Sequence, residues 1–146
     1  MRIFLDACCL QRPFDDQTQP RIRVESEAVL AVLAAVEAKD AILLSSEALE
    51  FEIERIPDAH RRTEALAMLT LAQERLTITE AVEAVAVTLE KVGVTAMDAL
   101  HTALASQACA DFFVTSDDRL LRKLKGLPGL KCQLTSLISV VSEVTK

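Results

Sequence analysis

Acidic side chains follow two short apolar runs, at positions where they could hold a metal ion together. Asp6 comes directly after the run 3–5, and Asp117 lies two residues beyond the run 112–115. In an open parallel sheet, ligands bind beyond the carboxyl ends of the strands. If both runs are strands of such a sheet, the carboxylates of Asp6 and Asp117 could face each other.

Asp98 is a third unusual acid, because no other Asp, Glu, Lys or Arg lies between Val94 and Ala110. If this segment is a helix, its apolar residues cover all of its sides, which predicts a buried helix. A buried carboxylate is costly unless it is paired or binds a metal. The segment from Thr95 to Asp98 also fits a variant of the capping box, in which Asp98 satisfies the helix N-terminus. The two roles are compatible, since a capping carboxylate keeps a second oxygen free.

A fourth acid is expected on the predicted helix that follows Ser46. Leu49 and Ile53 mark its buried side, and Glu52 lies on the flank, from which a carboxylate can reach inward over the sheet edge. A shifted helix register would favour Glu50 instead. Taken singly, each of these glutamates has the pattern of a surface residue.

Clustered carboxylates predict a hard cation, Mg²⁺ or Mn²⁺, with oxygen ligands. The Cys and His residues do not have the spacing of a zinc site. A hard cation suits phosphodiester hydrolysis, because it activates water and stabilises charge that develops on the phosphate.

His101 lies three residues after Asp98. A di-iron site would need two such motifs of an acid followed three residues later by histidine, both within a helix bundle. We therefore predict that His101 is a core histidine with a hydrogen-bond partner. We predict a surface position for His60.

The elements that must position these acids alternate along the chain. Apolar runs predict strands at 3–5, 41–44, 76–78, 112–115 and 130–134. Helical periodicity and caps predict helices at about 21–39, 46–56, 59–74, 80–92, 95–110, from 118, and from 136, with a Pro-containing loop at 7–20. This alternation predicts one α/β domain over residues 1–146, a three-layer sandwich with a mainly parallel, twisted sheet of four or five strands.

Composition narrows the function classes. With 51% hydrophobic and 26% charged residues, the chain is globular rather than disordered. Its net charge of −6 argues against coating nucleic acid by neutralising phosphates, but not against binding phosphate through a cation held by carboxylates. No segment is long enough to span a membrane or has the form of a signal peptide, so we expect a cytoplasmic protein. We expect its cysteines to be reduced and to pack as small apolar side chains.

Four segments, in this order, resemble the PIN domain family (PilT N-terminal domain) and, through it, the VapC-like ribonuclease toxins of toxin–antitoxin pairs. They are Ile3–Asp6, Ser46–Ile53, Asp98–Ala105 and Val114–Asp117. The resemblance covers nearly the whole chain. It implies an endoribonuclease that leaves a 5′-phosphate and a 3′-hydroxyl, with one or two Mg²⁺ or Mn²⁺ ions.

The resemblance also implies roles for particular residues. The catalytic, metal-binding quartet would be Asp6, Glu52, Asp98 and Asp117, and the hydroxyl of Thr115 would orient the site. Many relatives place Ser, Thr or Asn just after the first Asp, whereas this chain has 7–9 as Ala-Cys-Cys. A hydroxyl that could position a water molecule is therefore missing there.

That departure and the acidic charge motivate an alternative, a non-catalytic α/β module that binds RNA or a protein through a degenerate PIN-like site. A response-regulator receiver domain also places acids at strand ends. It normally needs an acidic pair before the first helix and a lysine after the last strand, whereas Lys131 lies within the predicted fifth strand.

Basic residues gather in one part of the chain, since the segment 119–131 carries five Lys or Arg and no acid. A solvated helix face and a phosphate-binding patch both fit this pattern. We expect the RNA backbone to contact Arg119, Arg122 and Lys123. Arg12, with Arg21 and Arg23, is a second candidate, although two acids interrupt its loop.

Two partners follow from the resemblance, an antitoxin protein and a second copy of the chain in a homodimer. Apolar rows around 65–69 and 81–87 carry more apolar surface than one core needs, which favours a dimer. The alternative is that these rows pack internally.

Overall fold

The strands and helices alternate as predicted in a computed structural model that describes residues 1–145. Lys146, the last residue of the predicted domain and of the final predicted helix, lies outside the described residues. The strands are β1 (Arg2–Leu5), β2 (Ile42–Ser46), β3 (Glu74–Leu76), β4 (Phe112–Val114) and β5 (Gln133–Thr135). They form one parallel sheet in the order β3-β2-β1-β4-β5.

Eight α-helices flank this sheet within residues 1–145. They are α1 (Ala7–Gln11), α2 (Pro20–Glu37), α3 (Glu47–Glu54), α4 (Ala59–Leu69), α5 (Glu80–Lys91), α6 (Ala96–Gln107), α7 (Asp118–Lys125) and α8 (Leu137–Val144), with a 3-10 helix at Arg12–Phe14. The predicted α/β class with a parallel sheet is confirmed. Over the same range, no helix is both long and apolar enough to cross a membrane.

The strand order reverses at β1, which pairs with β2 on one side and β4 on the other. Leu5 and Val114 are register partners, and the amide of Asp6 donates to the carbonyl of Val114 at 2.9 Å. Ligands of doubly wound sheets bind at such a switch point, beyond the carboxyl ends of the strands. The prediction that Asp6 and Asp117 follow neighbouring strands is therefore confirmed.

The core at this point is apolar on both sheet faces, as expected of a central parallel strand. Ile3, Phe4 and Leu5 have 0% exposure. The rings of Phe4 and Phe113 stack with centroids 5.7 Å apart, which ties β1 to β4. The ends of these strands are consequently held rigidly, and so are the acids that follow them.

The segment 7–20 differs from its prediction as a loop, because it contains α1 and the 3-10 helix. Asp6 is the N-cap of α1, and its side chain accepts a hydrogen bond from the amide of Ala7. A helix of five residues is too short to display the apolar periodicity on which the prediction depended.

Four further predictions need correction. The helix predicted to reach residue 74 ends at Leu69, and β3 begins two residues earlier than expected, because the amide of Gln73 donates to the carbonyl of Leu43 and draws this segment into the sheet. The fifth strand starts later, at Gln133. Cys109 is exposed rather than buried, because it follows the end of α6 in a left-handed conformation with φ of 52°.

The apolar rows proposed for a dimer pack largely internally. Ala65, Leu69 and Val82 are buried, whereas Val87 is 51% exposed. These two rows therefore give little support to the dimer prediction.

Candidate metal centre

Asp6 lies at the carboxyl end of β1 and is only 5% exposed. Its Oδ1 accepts from the amide of Ala7 at 2.8 Å. Its Oδ2 accepts from the hydroxyl of Thr115 at 2.9 Å and from the thiol of Cys8 at 3.4 Å. Burial, then the negative charge of the Cys8 sulfur when ionised and of the carboxylates of Asp98 and Glu52, raise the pKa of Asp6 well above its ordinary range, although the Thr115 hydroxyl opposes the shift. A bound cation would favour the charged form of this carboxylate.

Thr115 connects the ends of the two neighbouring strands through one hydroxyl group. This buried oxygen donates to Asp6 and accepts from the amide of Asp117 at 3.1 Å. Asp117 then caps α7, because its Oδ1 accepts from the amides of Arg119 and Leu120 at 2.9 and 3.2 Å. Within residues 1–145 no hydrogen bond occupies its Oδ2. That oxygen is therefore available to a ligand.

Asp98 lies in the first turn of α6 and is half-buried. The hydroxyl of Thr95 caps this helix by accepting from the amide of Asp98 at 3.4 Å. In the part of the chain that the structure describes, no backbone amide donates to the Asp98 carboxylate, so the cap predicted for Asp98 belongs to Thr95. Burial raises the pKa of Asp98, Asp117 and Glu52 add to the effect, and Thr95 and His101 oppose it. Helix capping therefore does not account for this acid.

A pocket of about 170 Å³ opens between the starts of α6 and α7. Its polar lining consists of two acids, two bases and one hydroxyl residue, namely Asp98, Asp117, Arg119, Lys123 and Thr95. The mixture suits a ligand that carries both a cation and an anion, such as a metal-bound phosphate.

Glu52 enters the site from α3, which Ser46 caps by accepting from the amide of Leu49 at 2.9 Å. Its Oε1 lies 2.6 Å from Nε2 of His101, and the same nitrogen is 4.0 Å from Oδ1 of Asp6. Ligand atoms of these three residues all lie within 4.8 Å of one another, an arrangement that could hold a metal ion.

The alternative glutamate, Glu50, points elsewhere. It pairs with Arg75 of β3 at 2.9 Å on the protein surface. Of the two glutamates that the sequence left open, the structure brings Glu52 to the other acids.

His101 is the residue of this cluster that sequence reasoning left out of the site. The prediction of a buried, hydrogen-bonded histidine is confirmed, since its side chain has 0% exposure and contacts Glu52. Its partner could not be foreseen, because Glu52 is 49 residues away in the sequence. The three-residue spacing from Asp98 was the available signal.

The basic candidates separate into two groups. Arg119 and Lys123 line the pocket beside Asp98 and Asp117, and Arg122 is exposed on the same helix. Lys123 also donates from Nζ to the carbonyl of Gly93 at 2.7 Å. Arg12 does not line this pocket, and it pairs with Asp15 at 3.1 Å and Glu25 at 3.3 Å, which compensate its charge.

The residues fit a hard divalent cation. The donors are carboxylate oxygens, and the ionised forms of Asp6 and Asp98 are destabilised without a positive charge nearby. Mg²⁺ and Mn²⁺ both favour such oxygen donors.

Solved structures share this fold. A chain of VapBC2 from Rickettsia felis, crystallised with a DNA fragment from the promoter, superposes with a TM-score of 0.58 at 14% identity over 93% of this chain and 98% of that chain. The chain has a PIN-like fold. PAE2754 from Pyrobaculum aerophilum superposes with a TM-score of 0.58 at 17% identity over 99% of this chain and 90% of that one. No protein-family model and no curated protein matches the sequence, so these similarities establish the PIN-like fold alone.

Proposed function

We propose that this PIN-like domain is an Mg²⁺- or Mn²⁺-dependent endoribonuclease. The observation that carries the proposal is the meeting of Asp6, Glu52 and His101 within 4.8 Å of one another, at the switch point of the sheet. Asp98 and Asp117 line the adjoining pocket. This is the placement expected of a ligand site in an open parallel sheet.

Each acid would contribute to holding the cation. Asp6, Glu52, Asp98 and Asp117 supply the oxygens, and when bound the ion would activate water and stabilise charge on the phosphate. Thr115 fixes Asp6 relative to the backbone of Asp117 through its two hydrogen bonds.

Two cations at the rim of the pocket suit the substrate. Arg119 and Lys123 can donate to phosphate oxygens on either side of the bond that is cut. Such backbone contacts position a nucleic acid without reading its sequence. They also offset the acidic net charge of the chain locally.

The missing hydroxyl after Asp6 does not favour the non-catalytic alternative. Cys8 places its thiol 3.4 Å from both Oδ2 of Asp6 and Oγ1 of Thr115. Asp6 thus keeps one hydroxyl partner, that of Thr115 just beyond β4. The departure after Asp6 therefore does not by itself argue for a degenerate binding module.

The test is cleavage of single-stranded RNA by the purified protein with Mg²⁺ or Mn²⁺, and with EDTA. We expect metal-dependent products with 5′-phosphate and 3′-hydroxyl ends, and no products from Asp117→Asn. Cleavage that survives full chelation would contradict the proposal. Metal-independent RNA binding without cleavage would instead support the non-catalytic module.

We further propose that the protein is the toxin of a toxin–antitoxin pair and forms a homodimer in the cytoplasm. VapBC2, one chain of which has the same fold, supports the first part. Co-expression with the product of an adjoining short open reading frame should suppress RNA cleavage. Light scattering should give twice the monomer mass, and a monomeric mass would contradict the dimer.

A further inference from the structure

Arg21, near the start of α2, contacts the chain on both sides of Asp117. Its Nη1 and Nη2 donate to the two carboxylate oxygens of Asp118 at 2.8 and 3.0 Å. Nη2 also donates to the carbonyl of Ser116 at 3.2 Å. The guanidinium therefore holds both neighbours of Asp117 in one planar fork, a geometry that lysine cannot reproduce.

The other side of this guanidinium is anchored in the protein. Its Nε donates to Oε1 of Glu25 at 3.0 Å, and Glu25 is only 2% exposed. Arg12 reaches the same oxygen at 3.3 Å. A buried carboxylate needs such partners, so the position of Arg21 is determined from within the fold and not only by its surface contacts.

These ion pairs belong to a longer network. Arg12 also pairs with Asp15 at 3.1 Å, and Asp15 pairs with Arg61 of α4 at 2.7 Å. Ion pairs thus connect α4 to the first residue of α7 through side chains of alternating charge. In order, these are Arg61, Asp15, Arg12, Glu25, Arg21 and Asp118. The network thus braces the loop between β4 and α7 against two helices.

Asp117 is consequently fixed from two directions. The Thr115 hydroxyl accepts from its amide on the β1 side, and Arg21 holds its neighbours on the α2 side. We propose that Arg21 is a positioning residue that sets where the Asp117 carboxylate lies relative to Asp6. This inference rests on the proposed metal-dependent function.

A role in stability alone explains the arrangement less well. The side chains of Arg21 and Asp118 are 53% and 51% exposed, and exposed ion pairs contribute little to stability. Removal of the Arg21–Asp118 contact should therefore change the geometry of the metal centre more than the melting temperature of the metal-free protein.

The experiment measures Mn²⁺ affinity by electron paramagnetic resonance, beside thermal melts of the metal-free protein. Arg21→Lys keeps the charge next to Glu25 but loses the fork, and Asp118→Asn leaves the Arg21–Glu25 pair intact. We expect each to weaken Mn²⁺ binding by roughly 10–100-fold, the usual effect of removing a partner of a metal ligand, with a nearly unchanged melting temperature. The double variant should be no weaker than the worse single variant, because both remove the same contact.

Two further variants separate the possible failures. Glu27→Gln removes an exposed charge from the same helix and should bind Mn²⁺ as the wild type does. Asp117→Asn should weaken binding strongly. If Asp117→Asn weakens binding but Arg21→Lys and Asp118→Asn do not, the role of Arg21 is overturned. If Asp117→Asn binds Mn²⁺ normally, the proposed metal centre fails, and the role of Arg21 with it.

Discussion

The Nε2 atom of His101 lies 2.6 Å from Oε1 of Glu52, while the Nδ1 atom of the same buried ring has no partner within residues 1–145. A proton on Nε2 satisfies this arrangement, because it lets the ring donate to Glu52 and leaves no N–H without an acceptor. His101 would then orient Glu52 beside Asp6.

The first prediction concerns this contact. His101→Leu keeps an apolar side chain in the core but removes the donor, so Mn²⁺ affinity should fall by roughly 10–100-fold. His101→Gln keeps an N–H of similar reach and should lose less. Isothermal titration with Mn²⁺ compares them, and equal binding by the leucine variant and the wild type would exclude an orienting role.

The second prediction distinguishes two glutamates of α3. Glu52→Gln should weaken Mn²⁺ binding and RNA cleavage, because it removes a charge that offsets the cation. Glu50→Gln, the matched control, breaks only an exposed pair with Arg75 and should change the free energy of unfolding by no more than about 1 kcal/mol. Cleavage lost in the Glu50 variant and kept in the Glu52 variant would reverse the assignment.

The third prediction follows from the raised pKa of Asp6. In the unfolded chain this group ionises at its ordinary pKa, whereas the folded metal-free protein binds the proton more tightly. Stability should therefore fall as the pH rises from the ordinary value of 3.8 through the raised pKa. Below 3.8 both states are protonated and the effect vanishes.

Thermal melts in EDTA measure this effect as the difference between wild type and Asp6→Asn, whose amide does not titrate. The wild type should lose stability relative to the variant as the pH rises toward neutrality. Saturating Mn²⁺ should reduce that loss, since the ion binds the charged form. A difference that does not depend on pH would show that burial does not perturb Asp6 in solution.

The fourth prediction concerns RNA contact by Arg119, whose side chain has no hydrogen-bond or ion-pair partner in the described part of the chain. Arg119→Gln should weaken RNA binding and lower the slope of log affinity against log salt by about 0.7, the value for one phosphate of a single strand. Lys39→Gln is the control, because Lys39 lies just before β2, at the opposite end of the sheet. Equal slopes for the two variants would remove Arg119 from the interface.

The alternation of strands and helices was predictable, because buried strands and capped amphipathic helices leave local patterns in the sequence. Asp6 and Asp117 were also accessible, since acids directly beyond apolar strands stand out. The choice of Glu52 over Glu50 was not, because it depends on which side chain meets His101 from another helix. The contacts of Arg21 with Ser116 and Asp118 were hidden for the same reason, since they join residues almost a hundred positions apart.

The most direct test of the metal-dependent nuclease is RNA cleavage by Asp98→Asn at saturating Mn²⁺. Thr95 caps α6, and burial already disfavours the charged form of Asp98, so the amide should leave the metal-free protein at least as stable as the wild type. Cleavage should nevertheless fall on the order of a hundredfold or more, because a charge that offsets the cation is lost. A folded Asp98→Asn protein that cleaves RNA at the wild-type rate would contradict this account of the site.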